Sequence, residues 1–103
     1  MNSLLQDNLT SIESLCKKYH VDRLVAFGSV LSDRFNSSSD IDLMVKFENM
    51  DLMQYADNYF DLKEALESIL QRKIDLLEEQ STKNPFLLKS INFSKQLVYG
   101  RAD

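Results

Sequence analysis

Apolar residues recur along the chain with two different periods, and each period predicts one type of secondary structure. Near the start of the sequence they step by three and four residues, the spacing of a helix with one buried face. The members of this stripe are Leu5, Leu9, Ile12, Cys16 and Tyr19.

The same spacing returns after Asp51, a candidate N-cap, and predicts a long second helix. The apolar stripe of that helix is Leu52, Tyr55, Tyr59, Leu62, Leu66 and Ile69. Asn84 followed by Pro85 is typical of a helix start and predicts a third helix.

Four short segments have the patterns of β-strands. Residues 23–27 form a short, mainly apolar segment that ends at Gly28, which favours a strand buried on both faces. Residues 40–47 alternate between polar and apolar side chains, the two-residue period of a strand, with Met44 on the polar side. Two further short strands are predicted at residues 73–77 and 96–99. The order of these elements predicts a small mixed sheet with helices packed on it in two layers, an α/β or α+β fold.

The composition is that of a folded globular protein. Of the 103 residues, 44% are hydrophobic and 27% are charged, which predicts a single domain over residues 1–103. The longest apolar run, residues 24–27, is too short to span a membrane. Cys16 is the only cysteine and lies on an apolar stripe. We therefore expect a buried thiol without a disulfide, in a cytoplasmic protein.

Charge is spread unevenly along a chain whose formal net charge is −4. Residues 48–79 carry nine acidic and three basic side chains, whereas residues 80–103 carry four basic and one acidic. The negative net charge and the lack of a long basic stripe argue against nucleic acid as a partner. His20 is the only histidine and has no reactive cysteine near it in sequence, which argues against a zinc site or a Cys–His nucleophile.

A pair of aspartates is the first candidate for chemistry. Asp40 and Asp42 stand two residues apart in the second predicted strand, so we expect their side chains to point to one face, about 6.6 Å apart. Two carboxylates beside a hydrophobic core repel each other and lose hydration unless cations neutralise them. Such carboxylates suit Mg²⁺ or Mn²⁺. Taken alone, an Asp-x-Asp pair more often marks a polar loop and a solvated strand face.

A third aspartate strengthens the case for a metal site. Asp75 lies in another short apolar run, and it falls on the same face as Asp42 if the two strands pair side by side. Three carboxylates around one point can hold two divalent cations about 3.5–4 Å apart, an arrangement used in phosphoryl and nucleotidyl transfer. Gly28 permits a sharp turn out of the first strand. The amides after it and the Ser29 hydroxyl are candidates for binding phosphate oxygens.

Together these residues resemble the signature of the polymerase β-like nucleotidyltransferases. That signature is Gly-Ser after a strand and then Asp-hydrophobic-Asp, and here a gap of ten residues separates the two parts. More specifically, the chain resembles the minimal nucleotidyltransferases of bacteria and archaea, the small partners of HEPN-domain toxins. The similar segments are residues 27–29, 39–45, 72–77 and the tail from Asn84 to Gly100. They extend over nearly the whole chain.

The resemblance implies a role for each of these residues. Asp40, Asp42 and Asp75 would be catalytic and would bind two Mg²⁺ ions, with Mn²⁺ as an alternative, and Asp75 would also help to activate the acceptor hydroxyl. Gly28 and Ser29 would hold the phosphates of a nucleoside triphosphate, taken as ATP. Few residues follow Asp75, so we expect the acceptor on another macromolecule. By resemblance, that acceptor is a tyrosine of a HEPN-domain toxin, which receives AMP and is silenced.

A different function also fits the sequence. Many members of the family carry a basic, glycine-bearing stretch after Gly-Ser, whereas residues 30–34 have one basic residue and no glycine. The alternative is a binding module that neutralises a partner toxin by contact. Its surface would include Tyr55, Tyr59 and Phe60, although their helical spacing favours core packing. The sequence leaves the oligomeric state open, a homo-oligomer included.

Overall fold

A computed structural model describes residues 1–101 as four helices and four strands. The helices are α1 (Ser3–Asp7), α2 (Leu9–Lys18), α3 (Leu52–Leu70) and α4 (Pro85–Phe93). The strands are β1 (Val21–Phe27), β2 (Ile41–Phe47), β3 (Ile74–Glu78) and β4 (Gln96–Gly100). Single-turn 3-10 helices follow β1 and β3, at Gly28–Leu31 and Glu79–Ser81. Within these residues no helix is long and apolar enough to cross a membrane.

The four strands form one mixed sheet, which confirms the predicted fold class. Their order is β3-β2-β1-β4. β1 pairs antiparallel with β2 and β4, whereas β2 and β3 are parallel. A parallel pair needs a crossover connection, and α3 supplies it between β2 and β3. β3 therefore lies at an edge of the sheet, directly beside the strand that carries Asp42.

Helices cover both faces of the sheet. On one face, alternate residues of the strands pack with α1, α2 and α3 to form the main core. On the other face, Val25, Phe27 and Met44 pack with Ile91 of α4. The expectation of two layers was therefore wrong, because α4 adds a partial third layer. Met44, predicted on the polar side of β2, is buried there under α4.

Capping residues set the starts of the two predicted later helices. The side chain of Asp51 accepts a hydrogen bond from the backbone N–H of Gln54 at 2.8 Å. Asn84 Oδ1 accepts hydrogen bonds from the backbone N–H groups of Phe86 and Leu87. Each cap satisfies backbone donors that the first turn of a helix leaves without partners. Both predicted helix starts are confirmed.

Two details of the predicted helices are wrong. The first stripe is divided into α1 and α2 at Asn8, whose side-chain amide donates a hydrogen bond to the carbonyl of Leu4 at 2.8 Å. Asparagine competes in this way with the backbone hydrogen bonds of a helix. Leu52, predicted on the buried stripe of α3, is 82% exposed. Farther along the stripe, Tyr55 and Tyr59 are half-buried against the main core, and Leu62 and Leu66 are fully buried.

Cys16 and His20 lie at the second half of α2 and just after it. Cys16 is fully buried, as predicted, and burial raises the pKa of its thiol to about 12. His20 turns the chain from α2 into β1 in a left-handed conformation with φ of 59°. Its Nδ1 lies 3.6 Å from Glu48 Oε1 at the protein surface. The burial of Cys16 in the core and the turn at His20 give both residues a structural role.

Candidate active site

The parallel pairing of β2 and β3 places Asp42 directly opposite Asp75. Side chains at facing positions of paired strands point to the same side of the sheet, and neighbouring strands lie about 4.8 Å apart. The two carboxylates therefore share one face, the face that α4 also covers at Met44. Asp40 directly precedes β2 and is exposed, so the loop rather than the strand determines its direction.

The three aspartates repel one another electrostatically. Partial burial of Asp42 raises the pKa of its carboxyl, and the negative charges of Asp75 and Asp40 raise that pKa further. Asp40 and Asp75 are both exposed to solvent. Asp42 is thus the carboxylate whose charged form would be stabilised most by a nearby cation.

Gly28 lies beside this group at the end of β1. It has φ of 75°, a left-handed conformation that favours glycine. Its neighbour Phe27 pairs with Asp42, and a Cβ atom at position 28 would overlap Asp42 Oδ2. The chain then turns through the 3-10 helix, where the carbonyl of Ser29 accepts the backbone N–H of Ser32 at 3.0 Å. The Gly28-Ser29 turn therefore adjoins the carboxylate face.

Arg72 joins the loop before Asp40 to the entry of β3. Its Nη1 donates a hydrogen bond to the carbonyl of Ser39 at 2.8 Å, and its Nη2 donates to the carbonyl of Asn36 at 2.7 Å. The guanidinium also lies over the ring of Phe35, 4.5 Å from its centroid. These contacts hold the backbone next to Asp40. No local sequence pattern marks Arg72 for this role, because its partner Ser39 lies 33 positions away in the chain.

Tyr59 supports β3 from its outer edge. Its hydroxyl donates a hydrogen bond of 2.5 Å to the carbonyl of Leu76, next to Asp75 in the chain. Burial raises the pKa of this hydroxyl, and the charge of Asp75 raises it further. Tyr59 and Tyr55 are half-buried against the main core, as their spacing indicates, whereas Phe60 is exposed.

The sequence model of the family described as "Polymerase beta, Nucleotidyltransferase" matches residues 10–103, a range that includes every residue of this site. The chain belongs to this family. It is a nucleotidyltransferase, and the resemblance seen in its motifs is confirmed.

Two curated relatives come from Methanocaldococcus jannaschii, and both are provisionally named as protein adenylyltransferases. MJ1379 is 38% identical over 82 residues, which are 80% of this chain and 79% of the relative. MJ0128 is 33% identical over 99 residues, which are 94% of this chain and 95% of the relative. The similarity thus extends over most of each protein.

Solved structures share the fold. One, provisionally described as a minimal nucleotidyltransferase, has a TM-score of 0.75 at 28% identity and covers 93% of this chain and 95% of its own. A toxin–antitoxin crystal structure with AMP-PNP has a TM-score of 0.71 at 21% identity, over 92% and 75%. The Shewanella oneidensis complex of a tri-AMPylated HEPN toxin with an MNT antitoxin has a TM-score of 0.65 at 22% identity, over 94% and 73%.

The donor atoms of this nucleotidyltransferase fit a hard divalent cation. In the part of the chain that the structure describes, no three His, Cys, Asp or Glu side chains form a closed metal cluster. Mg²⁺ does not require one, because it keeps several waters and takes one or two carboxylates together with substrate phosphates. An open carboxylate face, on which neighbouring negative charges raise the pKa of Asp42, fits such a cation.

Proposed function

We propose that this nucleotidyltransferase transfers AMP from ATP to a hydroxyl group of a HEPN-domain toxin and acts as its cytoplasmic antitoxin. The register of β2 and β3 carries the proposal, because it sets Asp42 against Asp75 on the face beside Gly28. Relatives named as protein adenylyltransferases support the reaction. Fold neighbours solved with AMP-PNP or with a HEPN toxin support the nucleotide and the partner. The proposal assigns the activity to one domain, residues 1–103.

Two groups of residues bind the nucleotide and its metal ions in this proposal. Backbone amides after Gly28 and the hydroxyl of Ser29 bind phosphate oxygens of ATP. Asp40, Asp42 and Asp75 hold two Mg²⁺ ions, or Mn²⁺ in their place. When bound, the ions neutralise the charge that develops on the phosphates during transfer. Arg72 and Tyr59 act as positioning residues, because one holds the loop before Asp40 and the other holds the strand of Asp75.

The proposed step is an in-line displacement at the α-phosphorus of ATP. Asp75 lies beside the acceptor hydroxyl, orients it and helps to remove its proton. The hydroxyl oxygen forms a bond to the α-phosphorus while the bond from that phosphorus to the bridging oxygen of the β-phosphate breaks. The products are AMP joined to the partner through a phosphodiester, pyrophosphate, and a proton that passes to solvent. Positioning and electrostatics supply the catalysis.

Intact-mass measurement tests the proposed function. The purified chain is mixed with the protein encoded by the neighbouring open reading frame, ATP and Mg²⁺. We expect a mass increase of one or more adenylyl groups on the partner, and none when EDTA replaces Mg²⁺. Absence of any nucleotidyl adduct with each of the common ribonucleoside triphosphates would contradict the proposal.

Aspartate variants separate catalysis from neutralisation by contact. Asp42→Asn and Asp75→Asn should each reduce the rate of transfer by about 100-fold or more, because each removes a charge that stabilises the transition state, while partner binding persists. Asp57→Asn, at an exposed position of α3, is the matched control and should keep full activity. A contact-only antitoxin would neutralise its toxin equally well in all three variants, and that result would favour the alternative function.

A further inference from the structure

The outer side of α4 exposes two large aromatic side chains. Phe86 is 84% exposed and Phe93 is 92% exposed. Their spacing of seven residues, with Lys89 three residues after the first, places all three on one side of the helix. We call Phe86, Lys89, Ser90 and Phe93 the α4 face, and these residues line a common surface depression.

The packing of α4 prevents these rings from turning inward. Leu87, Leu88 and Ile91 on the inner side of the helix contact the sheet, and Asn84 caps the first turn. One helix cannot bury both sides against the same sheet, so the α4 face stays in water unless another molecule covers it. Single exposed apolar residues are common. Two aromatic rings that line one depression on the same side of a helix are instead typical of interaction surfaces, where aromatic anchors supply much of the binding energy.

The charge around the α4 face differs from that of the whole protein. Lys89 lies within the face, and Lys83 and Lys95 lie near the two ends of α4. Residues 80–103 carry four basic and one acidic side chain in a chain of net charge −4. A complementary surface would therefore combine apolar side chains with carboxylates.

The α4 face lies on the catalytic side of the sheet. Ile91 of α4 packs against Met44, and Met44 lies two residues after Asp42 on β2. Positions two apart on a strand point to the same face. A macromolecule that brings a hydroxyl group to Asp42 and Asp75 must therefore approach from the side of the sheet on which α4 lies.

We propose that the α4 face is the surface on which the acceptor-bearing protein docks, through an apolar patch bordered by carboxylates. The inference rests on the proposed function for the kind of partner, since transfer to a protein requires that protein to be held near the carboxylates. Phe86 and Phe93 are the apolar anchors of this surface. Lys89 pairs with an acidic group of the partner.

Two pairs of alanine substitutions test the docking surface on the full chain. Phe86→Ala with Phe93→Ala removes the rings of the α4 face. Leu52→Ala with Met53→Ala removes two apolar side chains that are 82% and 81% exposed on α3, on the opposite face of the sheet. With the protein from the neighbouring open reading frame, the first pair should weaken the Kd about tenfold or more, and the control pair by less than about twofold. Both pairs should bind Mg²⁺-ATP like the wild type.

A charge reversal provides a second variant that leaves the apolar side chains in place. Lys89→Glu should weaken partner binding at low ionic strength, and the difference from wild type should shrink as salt is added. Lys63→Glu on α3 is the control for a change of net charge and should have a smaller effect. Circular dichroism spectra and thermal midpoints verify that each variant is folded.

The outcomes distinguish the docking surface from the proposed reaction. Unchanged partner binding by Phe86→Ala with Phe93→Ala overturns the docking surface, even if the wild type transfers AMP. Weakened binding by that pair supports the docking surface, even if the wild type transfers nothing. A wild-type chain that does not bind this partner overturns both. Loss of self-association in the pair, with partner binding unchanged, assigns the face to a second copy of the chain and overturns the inference.

Discussion

Gly28 lies against the carboxylate of Asp42, so closely that a methyl group on its α-carbon would overlap Oδ2 and lie 3.2 Å from Cγ. Two independent features of this position require glycine. The backbone has φ of 75°, where a side chain causes strain, and the neighbouring carboxylate occupies the space that a side chain would need. The glycine therefore sets how near the turn after β1 can come to the carboxylate face.

Gly28→Ala should damage the site more than the fold. The new methyl group displaces the carboxylate of Asp42, so the rate of transfer should fall about tenfold or more. The left-handed conformation should lower the free energy of unfolding by about 1–2 kcal/mol. Urea denaturation and the intact-mass assay measure the two effects.

Gly100→Ala is the control for Gly28→Ala. Gly100 has φ of 93°, and a methyl group there would overlap the backbone oxygen of Asp22 at the far end of β1. This variant should lose stability but keep its rate of transfer per folded molecule. If both variants lose transfer equally once the folded fraction is taken into account, the contact between Gly28 and Asp42 has no special role.

In the absence of Mg²⁺, the variant Asp42→Asn should be more stable than the wild type. The pKa of the Asp42 carboxyl is raised above its ordinary value of 3.8 in the folded state, so the folded state binds the proton more tightly than the unfolded state does. The contribution of Asp42 to stability is therefore most favourable below pH 3.8, and it falls as the pH rises through the folded-state pKa. At neutral pH the charge is therefore unfavourable, so its removal should raise the free energy of unfolding. Thermal denaturation in EDTA measures this gain. Mg²⁺ with ATP should raise the Tm of the wild type more than that of the variant, and equal shifts would argue against Asp42 as a ligand.

Cys16 should make the protein less stable at alkaline pH. Burial, with a smaller effect of Glu13, raises the pKa of the thiol from 9.0 to about 12. Below pH 9 the folded and unfolded states both keep the proton. Between pH 9 and 12 the unfolded chain loses it first, so stability falls by at most about 1.4 kcal/mol per pH unit. Urea denaturation at pH 8 and pH 10 should show this fall.

The variant Cys16→Ala isolates the contribution of the thiol. It should be less stable at pH 8 by about 1 kcal/mol, because it leaves a small cavity, but its stability should fall less on going to pH 10. Tyr55, whose pKa is also raised to about 12, keeps its own contribution in both proteins. Identical pH dependence in the two proteins would show that the thiol titrates normally in the folded state.

Arg72→Lys should weaken the site through the loop before Asp40. Lysine keeps the positive charge. It lacks the planar guanidinium whose two terminal nitrogens donate to the carbonyls of Ser39 and Asn36. We expect a stability loss of about 1–2 kcal/mol and a higher Mg²⁺ concentration for half-maximal transfer. Lys73→Arg, one residue away and exposed, is the control. A lower stability with an unchanged Mg²⁺ dependence would restrict Arg72 to a purely structural role.

Local interactions explain why much of the fold could be predicted from the sequence. The alternation in residues 41–47 and the caps at Asp51 and Asn84 depend on neighbours only a few positions away. The errors arise where a distant element decides the outcome. Met44 is buried because α4 covers it, and Leu52 is exposed because the packing of α3 on the core begins only at Tyr55.

The sequence by itself determined the types of the main helices and strands, the approximate bounds of most of them, the family resemblance and the candidate site residues. Only the tertiary structure decided that Asp42 stands opposite Asp75, since the register of β2 and β3 depends on the crossover through α3 and on packing. It also decided that Arg72 reaches Ser39 and that α4 packs on the face of the sheet that carries Asp42. These are contacts between segments far apart in the chain, and their energies depend on the whole fold rather than on any local pattern.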